Sequence, residues 1–383
     1  MNNAKTIGID ARFYGEAGPG RYAKNIVNSL EKVDQINRYI VFLRKAGFEQ
    51  YTPSNPNFVK VLTDYKWYTF DEQIRFLIAI YKQKIDLFYV PHFNIPVLYV
   101  GKLVTAIPDI IMHTFSTEEG TTLPPLYFKF KKFVYKVVVM WAVIRSKKVI
   151  VPSNAVKEDF LKVFPFARAE KLVIAYEGID PDFSKPPLET EAVLTKYEII
   201  KPFLLYVGSM YKHKNVETLI EGYKILKIRF GYNGHLVLIG KKDHFSNTLY
   251  EKIDQEGLRD DIIMPGQKWY VTDNEVTAFR KEAQVYVFPS FKEGFSLTPL
   301  EGMCQGLVAA ISDIPCHREI YGDCVQYFDA HSAEDIADKV QEMITDTALR
   351  ESLVQKGLEL TKKYSWRTTA QLTLGIFTKA LKN

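Results

Sequence analysis

The sequence predicts an α/β protein of two domains, each a doubly wound parallel sheet with helices packed against it. The first observation is the alternation of short apolar runs with helix-like stretches throughout the 383 residues, which is typical of βαβ units. The second is that runs such as Phe203–Val207 and Val285–Phe288 are apolar at every position, as in strands that are buried on both faces of a sheet. The third is the length itself, since single cores rarely grow beyond roughly 250–300 residues.

Apolar runs of strand length recur in both halves of the chain. In the first half the predicted strands are 6–10, 39–43, 58–62, 86–90, 103–107, 148–151 and 172–176. In the second half they are 203–207, 235–239, 262–264, 285–288, 308–311 and 325–328. Between them, apolar residues at helical spacing predict amphipathic helices, with one face made of Tyr22, Ile26, Val27, Leu30 and Val33 and another of Val216, Leu219, Ile220, Tyr223 and Leu226.

The alternation breaks between residues 178 and 202. There the sequence reads G-I-D-P-D-F-S-K-P-P and continues into a charged, helix-like piece. Such a segment is typical of a domain boundary. We therefore predict an N-terminal domain over 1–180, a C-terminal domain over 181–365, and a terminal helix over 366–383 that packs back on the N-terminal domain.

Composition argues against several classes of protein. The three cysteines, Cys304, Cys316 and Cys324, form no C-x-x-C pair, so we expect a reducing cytosol and neither a disulfide framework nor a cysteine-based zinc site. The net charge of +5 is mild and no nucleic-acid-binding module is recognisable, so nucleic acid is not an expected partner. No signal peptide is visible, and the best apolar run, 134–144, is shorter than the about 20 residues of a membrane span.

Two carboxylates lie in the segment 289–302, which follows a predicted strand and reads P-S-F-K-E-G-F-S-L-T-P-L-E-G. Ligands of α/β sheets bind beyond the carboxyl ends of strands, and a carboxylate there can accept hydrogen bonds from two sugar hydroxyls. Glu293 and Glu301 are the candidates. Three backbone N–H groups between them would be free to face an anion: those of Phe295, Ser296 and Leu297. Two structural interpretations stay open, a capping box from Thr298 to Glu301 and a solvated loop charge for Glu293.

A second segment, 205–215, places a lysine beside the start of a helix. It reads L-Y-V-G-S-M-Y-K-H-K-N, in which a strand runs into Gly208 and Asn215 is the predicted N-cap. The helix dipole, the unpaired N–H groups of the first turn and the ammonium of Lys214 would together attract a diphosphate. The alternative is a lysine that simply faces solvent from a loop.

A glycine-rich segment follows the first predicted strand. Gly18-Pro19-Gly20 precedes a predicted helix, so its exposed amides would face phosphates or a sugar. Gly18, Gly20 and Ala23 also fit the dinucleotide pattern G-x-G-x-x-A, but weakly, because no acid ends the next strand, where Arg44 stands. One alternative function is therefore an NADP-dependent oxidoreductase that uses Gly18, Gly20 and Arg44.

These segments together resemble the family 4 retaining glycosyltransferases, which have the GT-B fold of two Rossmann-like domains facing across a cleft. The motifs concerned are E-G-F-S-L-T-P-L-E, its flanks V-F-P-S and G-M-C-Q-G-L-V-A-A-I-S, the later H-R-E-I-Y-G-D, the lysine loop and the opening glycine loop. The resemblance implies Glu293, Lys214 and Asp109 as catalytic residues. It implies that the donor, a nucleotide-diphosphate sugar, is bound by Gly18, Gly20, Ser209, Lys214, Glu293, Phe295, Ser296, Leu297 and Glu301.

The chain departs from the family at two positions. Relatives commonly have His-Asp where this chain has Pro108-Asp109, and many have an arginine in place of Ser209. The resemblance implies hexose transfer with retention, without metal or other cofactor, to a saccharide or lipid-linked saccharide in cell-surface glycan synthesis, with GDP-mannose as the favoured donor. A GT-B-fold epimerase or a non-catalytic sugar-nucleotide binder is the second alternative.

A basic and aromatic segment of the first domain predicts contact with a membrane. Within 127–148 there are seven basic residues and no acid: Lys129, Lys131, Lys132, Lys136, Arg145, Lys147 and Lys148. Phe128, Phe130, Phe133, Tyr135 and Trp141 are interleaved with them. Basic residues near anionic lipid contribute about 1 kcal/mol each and aromatic residues favour the interface, so an amphipathic helix here would lie on the inner face of a membrane. The alternative is that 134–144 packs into the core and only the lysines are exposed.

Overall fold

The computed structural model describes residues 4–115, 124–180, 183, 185 and 189–382. These residues form two compact units. The first unit comprises 4–115, 124–178 and 365–382, and the second comprises the described residues of 179–364. Each unit contains one parallel sheet, so the predicted fold class is confirmed.

The sheet of the first unit has seven strands within the described residues, in the order β3-β2-β1-β4-β5-β6-β7. They are β1 (Thr6–Asp10), β2 (Arg38–Leu43), β3 (Phe58–Leu62), β4 (Leu87–Val90), β5 (Leu103–Ala106), β6 (Lys148–Val151) and β7 (Leu172–Ile174). All neighbouring pairs are parallel. The strand order reverses between β1 and β4, and α/β sheets bind ligands at the carboxyl ends of the strands at such a point.

Helices connect these strands. They are α1 (Ala17–Val33), α2 (Lys45–Gln50), α3 (Leu77–Lys82), α4 (Ile111–Thr114), α5 (Pro125–Arg145) and α6 (Asn154–Val163), and a π-helical turn, Glu72–Phe76, leads into α3. The predicted apolar face of α1 is buried except for the half-buried Val33. Because α1 begins at Ala17, Gly18-Pro19-Gly20 lies inside its first turn, and the prediction that these residues precede the helix is wrong.

The sheet of the second unit has six strands within the described residues, in the order β10-β9-β8-β11-β12-β13, all parallel. They are β8 (Phe203–Val207), β9 (His235–Ile239), β10 (Ile262–Ile263), β11 (Val285–Phe288), β12 (Ala309–Ser312) and β13 (Gln326–Phe328). The helices are α7 (Thr190–Lys196), α8 (Val216–Phe230), α9 (His244–Gln255), α10 (Pro265–Lys268), α11 (Asp273–Glu282), α12 (Leu297–Met303), α13 (Pro315–Tyr321), α14 (Ala333–Thr345) and α15 (Thr347–Thr361). Here the order reverses between β8 and β11.

The last helix, α16 (Trp366–Lys382), belongs to the first unit. Its first residue packs edge-on against Tyr22 of α1, with ring centroids 5.4 Å apart. Farther along, Phe377 contacts Tyr89 of β4 at 5.0 Å. Both contacts are buried, so α16 completes the core beside α1 and β4.

The predicted strands match the observed ones to within two residues at each end, and the predicted apolar face of α8 is buried at all five positions. In the described ranges, no helix combines the length and the apolar character that crossing a bilayer requires. In the same ranges, no three His, Cys, Asp or Glu side chains converge in a way that would hold a metal ion.

Candidate active site

Two of the predicted site residues form an ion pair at the carboxyl ends of β8 and β11. Lys214 ends a 3-10 turn, Lys212–Lys214, which follows β8. Glu293 lies in the loop after β11, and its Oε1 is 2.6 Å from the Nζ of Lys214. The Lys214 side chain is 17% exposed and that of Glu293 is 8% exposed. The solvated-loop interpretation of both residues is therefore wrong, because each is mostly buried against the other.

The electrostatics keep the Glu293 carboxylate of this pair charged. Burial raises the pKa of Glu293, but the attraction and the hydrogen bond from Lys214 outweigh burial and hold the pKa below its ordinary value. The adjacent His213 is neutral near pH 7, since burial lowers its pKa to about 4. The site thus presents one ammonium and one carboxylate at the point where the strand order of the second sheet reverses.

The loop after β11 is fixed at Ser296. This residue has a φ of 74°, in the left-handed region that non-glycine residues rarely adopt. Its carbonyl accepts a hydrogen bond from the Tyr321 hydroxyl, and its Oγ lies 3.0 Å from His317 Nε2. Because Nδ1 of His317 lies 2.8 Å from the Ser312 carbonyl and must donate to it, Nε2 accepts from the Ser296 hydroxyl.

That conformation leaves amides unpaired at the start of α12. Among the described residues, no acceptor lies within hydrogen-bond distance of the N–H of Ser296 or Leu297. The Phe295 ring is buried edge-on against Tyr364, at 5.3 Å. A short row of N–H groups therefore lies in the same loop as Glu293, as an anion site needs.

Glu301 has a different environment from the one that was predicted. Because the left-handed Ser296 starts α12 at Leu297, Thr298 lies inside the helix, and the capping-box interpretation is wrong. The Glu301 carboxylate lies 2.5 Å from the Arg280 guanidinium, with both side chains almost completely buried. The ion pair of Glu301 with Arg280 thus joins α12 to α11.

Asn215 joins the loops around the pair. It is the N-cap residue of α8, as predicted, but its φ is 59° and its side chain accepts no hydrogen bond from a backbone N–H of the first turn. The side-chain amide donates instead to the carbonyls of Pro289 and Ala330, at 3.0 and 2.7 Å. Ser209, half-buried in the loop after β8, accepts a hydrogen bond from the Tyr206 hydroxyl at its carbonyl, 2.7 Å away.

The predicted site residues of the first unit have structural partners. A Cβ on Gly20 would overlap the carbonyl oxygen of Phe13, whereas a Cβ on Gly18 would meet nothing within 4 Å. The Asp109 carboxylate accepts a hydrogen bond from the N–H of Ile111, at 2.9 Å, at the start of α4. Arg44 lies 3.4 Å from both Glu16 and Asp64.

Sequence reasoning missed a buried polar cluster at the carboxyl ends of β1 and β4. Arg12 Nη2 lies 2.7 Å from Asp10 and 2.6 Å from Glu72, and the Asn94 side chain donates to Glu72 at 2.7 Å. Burial opposes the charge of Arg12, but the two carboxylates outweigh it and raise the Arg12 pKa. The signal that would have found it is the D-A-R tripeptide, which begins at the last residue of the first predicted strand.

The chain is similar in sequence to known glycosyltransferases. Residues 196–359 match the family model of the glycosyl transferases group 1. O-antigen chain mannosyltransferase B of Escherichia coli is 25% identical over 234 residues, which cover 61% of this chain and 60% of that protein. O-antigen chain mannosyltransferase RfbU of Salmonella typhimurium is 22% identical over 321 residues, which cover 80% of this chain and 82% of that protein.

A solved structure shows the same fold. Anabaena Alr3699/HepE, in complex with UDP-glucose, superposes with a TM-score of 0.75 at 14% identity, covering 98% of this chain and 100% of that one. The chain spans less than two thirds of the length of the E. coli relative. The similarity to the glycosyl transferases group 1 covers residues 196–359 of this chain, and the two parallel sheets have the GT-B fold.

Proposed function

We propose that this chain is a retaining glycosyltransferase that moves a hexose from a nucleotide-diphosphate sugar to a saccharide acceptor. The observation that supports it most is the ion pair of Lys214 and Glu293 beside the amides of Ser296 and Leu297. These groups lie at the carboxyl ends of β8 and β11, where α/β sheets bind ligands. They also lie inside the segment that matches the glycosyltransferase family.

Each group has a role that its chemistry suits. The Lys214 ammonium and the loop amides bind the diphosphate and stabilise the charge that develops on it as it leaves. The Glu293 carboxylate is already ionised and accepts hydrogen bonds from donor hydroxyls, while it keeps Lys214 in place. Ser296 depends on His317 and Tyr321 for its conformation, and Glu301 depends on Arg280, so these residues position the loop rather than react.

In the proposed reaction an acceptor hydroxyl oxygen forms a bond to the anomeric carbon on the face from which the diphosphate leaves. The bond between that carbon and the phosphate oxygen breaks, and the departing diphosphate takes the proton of the hydroxyl. No protein nucleophile and no metal take part, because Lys214 and the amides supply the positive potential. A chelator should therefore leave the rate unchanged.

The donor is proposed to be GDP-mannose. Two of the relatives are named mannosyltransferases, which favours a mannosyl donor here. Thermal unfolding with GDP-mannose, UDP-glucose, UDP-N-acetylglucosamine and NADP tests the proposal, since a ligand at a hundredfold excess over its Kd stabilises by about 2.7 kcal/mol. Stabilisation by a sugar nucleotide that Lys214→Ala abolishes supports the donor site. Stabilisation by NADP alone would favour the oxidoreductase, and an epimerised sugar without acceptor would favour the epimerase.

We further propose that the acceptor is carried on an anionic membrane, which the first unit contacts through α5. The outward side of this helix is an apolar stripe at spacings of three and four residues: Leu126, Phe130, Phe133, Val137, Met140 and Ile144, all exposed. The opposite side is buried, with Val139 and Val143 packed into the core around β6. The helix is therefore neither fully buried nor exposed through its lysines alone, because an apolar stripe runs along its exposed face.

Two lysines of α5 border this stripe on one side. At about 100° per residue, Lys129 and Lys136 lie about 60–80° from the centre of the stripe, whereas Lys131 lies about 140° from it, and all three are exposed. The Trp141 indole N–H donates to the carbonyl of Val97 at 2.9 Å, which holds a loop with exposed apolar side chains beside the helix. An exposed apolar stripe with a basic edge is an arrangement found in helices that lie in a membrane interface.

Flotation with liposomes of neutral and of anionic lipid, at low and high salt, tests this contact. The wild type should float with anionic liposomes at low salt and much less at high salt. Phe130→Ser/Phe133→Ser should lose flotation, whereas the control Ile228→Ser/Tyr270→Ser, which removes two exposed apolar side chains from the second unit, should keep it. No binding of the folded wild type at low salt, or equal loss by both double variants, would remove the membrane from the proposal.

A further inference from the structure

His92 lies just beyond the carboxyl end of β4, in the first unit. Its ring contacts the rings of Phe13 and Phe93, with centroids 4.8 and 4.1 Å away. Phe13 in turn contacts Trp67 at 4.0 Å, and both of these rings are half-buried. His92 therefore belongs to an aromatic row, which includes Phe13 and Trp67, at the point where the strand order of the first sheet reverses.

The hydrogen bonds around His92 fix which ring nitrogen carries the proton. The backbone N–H of Asn94 donates to Nδ1 at 3.1 Å, so in the neutral ring the proton is on Nε2. The Asn94 side chain is held by Glu72, which Arg12 also binds, so this loop is tied to the buried cluster. Burial lowers the pKa of His92 to about 4, which keeps the ring neutral near pH 7.

The Nε2–H donor has no acceptor within the described part of the chain. The charged groups nearby are already engaged, because Arg12, Asp10 and Glu72 bind one another. His92 itself keeps 8% exposure. A fixed donor at the reversal point of a sheet, next to aromatic faces, is the combination with which proteins bind small polar molecules.

We propose that His92 is a hydroxyl-recognition residue, whose Nε2–H donates to a hydroxyl of the acceptor saccharide while the sugar ring packs against Phe13 and Trp67. The inference rests on the proposed function and adds to it the residues that recognise the acceptor saccharide. A saccharide fits because it offers C–H faces to the aromatic rings and an oxygen acceptor to a neutral donor. His113 is the matched contrast: its Nδ1 lies 3.2 Å from the Tyr135 hydroxyl, and its Nε2 is completely buried.

The test uses four methyl glycosides as probes: those of mannose, glucose, galactose and N-acetylglucosamine. We expect at least one to shift the His92 Nε2 resonance in long-range 1H–15N spectra of wild type and of Lys214→Ala alike. For that glycoside, His92→Phe should raise Kd at least tenfold, and His92→Gln, whose amide N–H reaches a similar position, should stay within about threefold of wild type. His113→Phe should also stay within about threefold.

The results that would contradict this inference differ from those that would contradict the proposed function. If none of the four glycosides shifts the His92 resonance, or if His92→Phe and His113→Phe weaken binding equally, the inference is wrong. If a glycoside binds at His92 but no sugar nucleotide stabilises the protein, the inference holds and the donor proposal fails. A folded His92→Gln that binds as poorly as His92→Phe would also contradict a role for the N–H donor.

Discussion

Replacing Lys214 with Met tests the ion pair at the centre of the candidate site. The substitution removes the ammonium but keeps an unbranched apolar stem beside Phe288, whose ring centroid lies 5.5 Å from Nζ. The Glu293 carboxylate then stays in a mostly buried position without its partner. We expect this variant to lose both stability and diphosphate affinity. A second variant, which also replaces Glu293, should recover the stability but not the affinity.

The magnitude follows from the burial of the pair. Removing one partner of a fully buried pair costs about 3–5 kcal/mol. Because Lys214 is 17% exposed and Glu293 is 8% exposed, water compensates in part, and we expect a loss of about 2–3 kcal/mol. Lys214→Met/Glu293→Gln should recover most of this loss. It should not recover diphosphate binding, which loses a charge-assisted hydrogen bond and weakens roughly 10- to 150-fold.

The pH dependence of unfolding gives an independent check. The pKa of Glu293 is lowered in the folded protein, so the pair stabilises fully above the unfolded pKa of about 4.3 and ceases to do so as pH falls through the folded value. In Lys214→Met, burial without the cation raises the pKa of Glu293, and its protonation at low pH relieves the destabilisation. The stability gap between wild type and variant should therefore narrow from pH 7 to pH 4.

Urea denaturation at both pH values measures stability, and calorimetry with GDP and with guanosine measures binding. Lys212→Met is the matched control, because the Lys212 side chain is 53% exposed and its Nζ lies 3.9 Å from the Glu217 carboxylate, at the limit of an ion pair. We expect the control to behave as wild type in both assays. The reasoning would be refuted by equal stability losses in the two single variants, by a gap that does not narrow, or by equal weakening of GDP and guanosine.

Three further predictions concern the buried groups around both sheets. Glu301→Gln should lower the free energy of unfolding, measured in urea, by about 3–5 kcal/mol, because the buried Arg280 guanidinium loses the carboxylate that it pairs with. A loss of under about 1 kcal/mol would contradict the importance of this ion pair. Gly20→Ala should lower Tm by several degrees or more, since the added Cβ would overlap the carbonyl oxygen of Phe13, whereas Gly18→Ala should have the Tm of wild type. Equal Tm values for the two variants would contradict the close contact between Gly20 and Phe13. Arg12→Met should lower Tm more than any variant of an exposed arginine, since two buried carboxylates lose their shared cation.

The fold could be predicted from the sequence because its signal is local. Uniformly apolar runs such as Phe203–Val207 are dictated by burial on both faces, and such burial occurs in few architectures. The apolar face of α8 follows from helical spacing alone. The capping-box interpretation of Thr298 failed because the start of α12 depends on the left-handed φ of Ser296, which Tyr321 and His317 stabilise from 21 or more residues away.

The candidate site could be predicted only in part, for the same reason. Lys214 and Glu293 are identified by their motifs, but their pairing joins residues 79 apart and appears only when β8 and β11 are neighbours. Arg12 and Glu72 are 60 residues apart, in segments that show no shared pattern. Contacts of this kind depend on tertiary structure, so spacing along the chain cannot reveal them.

The proposed glycosyl transfer is tested most directly by following GDP-mannose and a mannoside acceptor in one time course by 1H NMR, with wild type and Glu293→Gln. The proposed mechanism predicts that the donor is consumed, that GDP and an α-mannosidic product appear together, and that Glu293→Gln slows both at least tenfold while it remains folded. A β-linked product would contradict retention. Consumption of the donor at an equal rate by Glu293→Gln would contradict the assignment of the site.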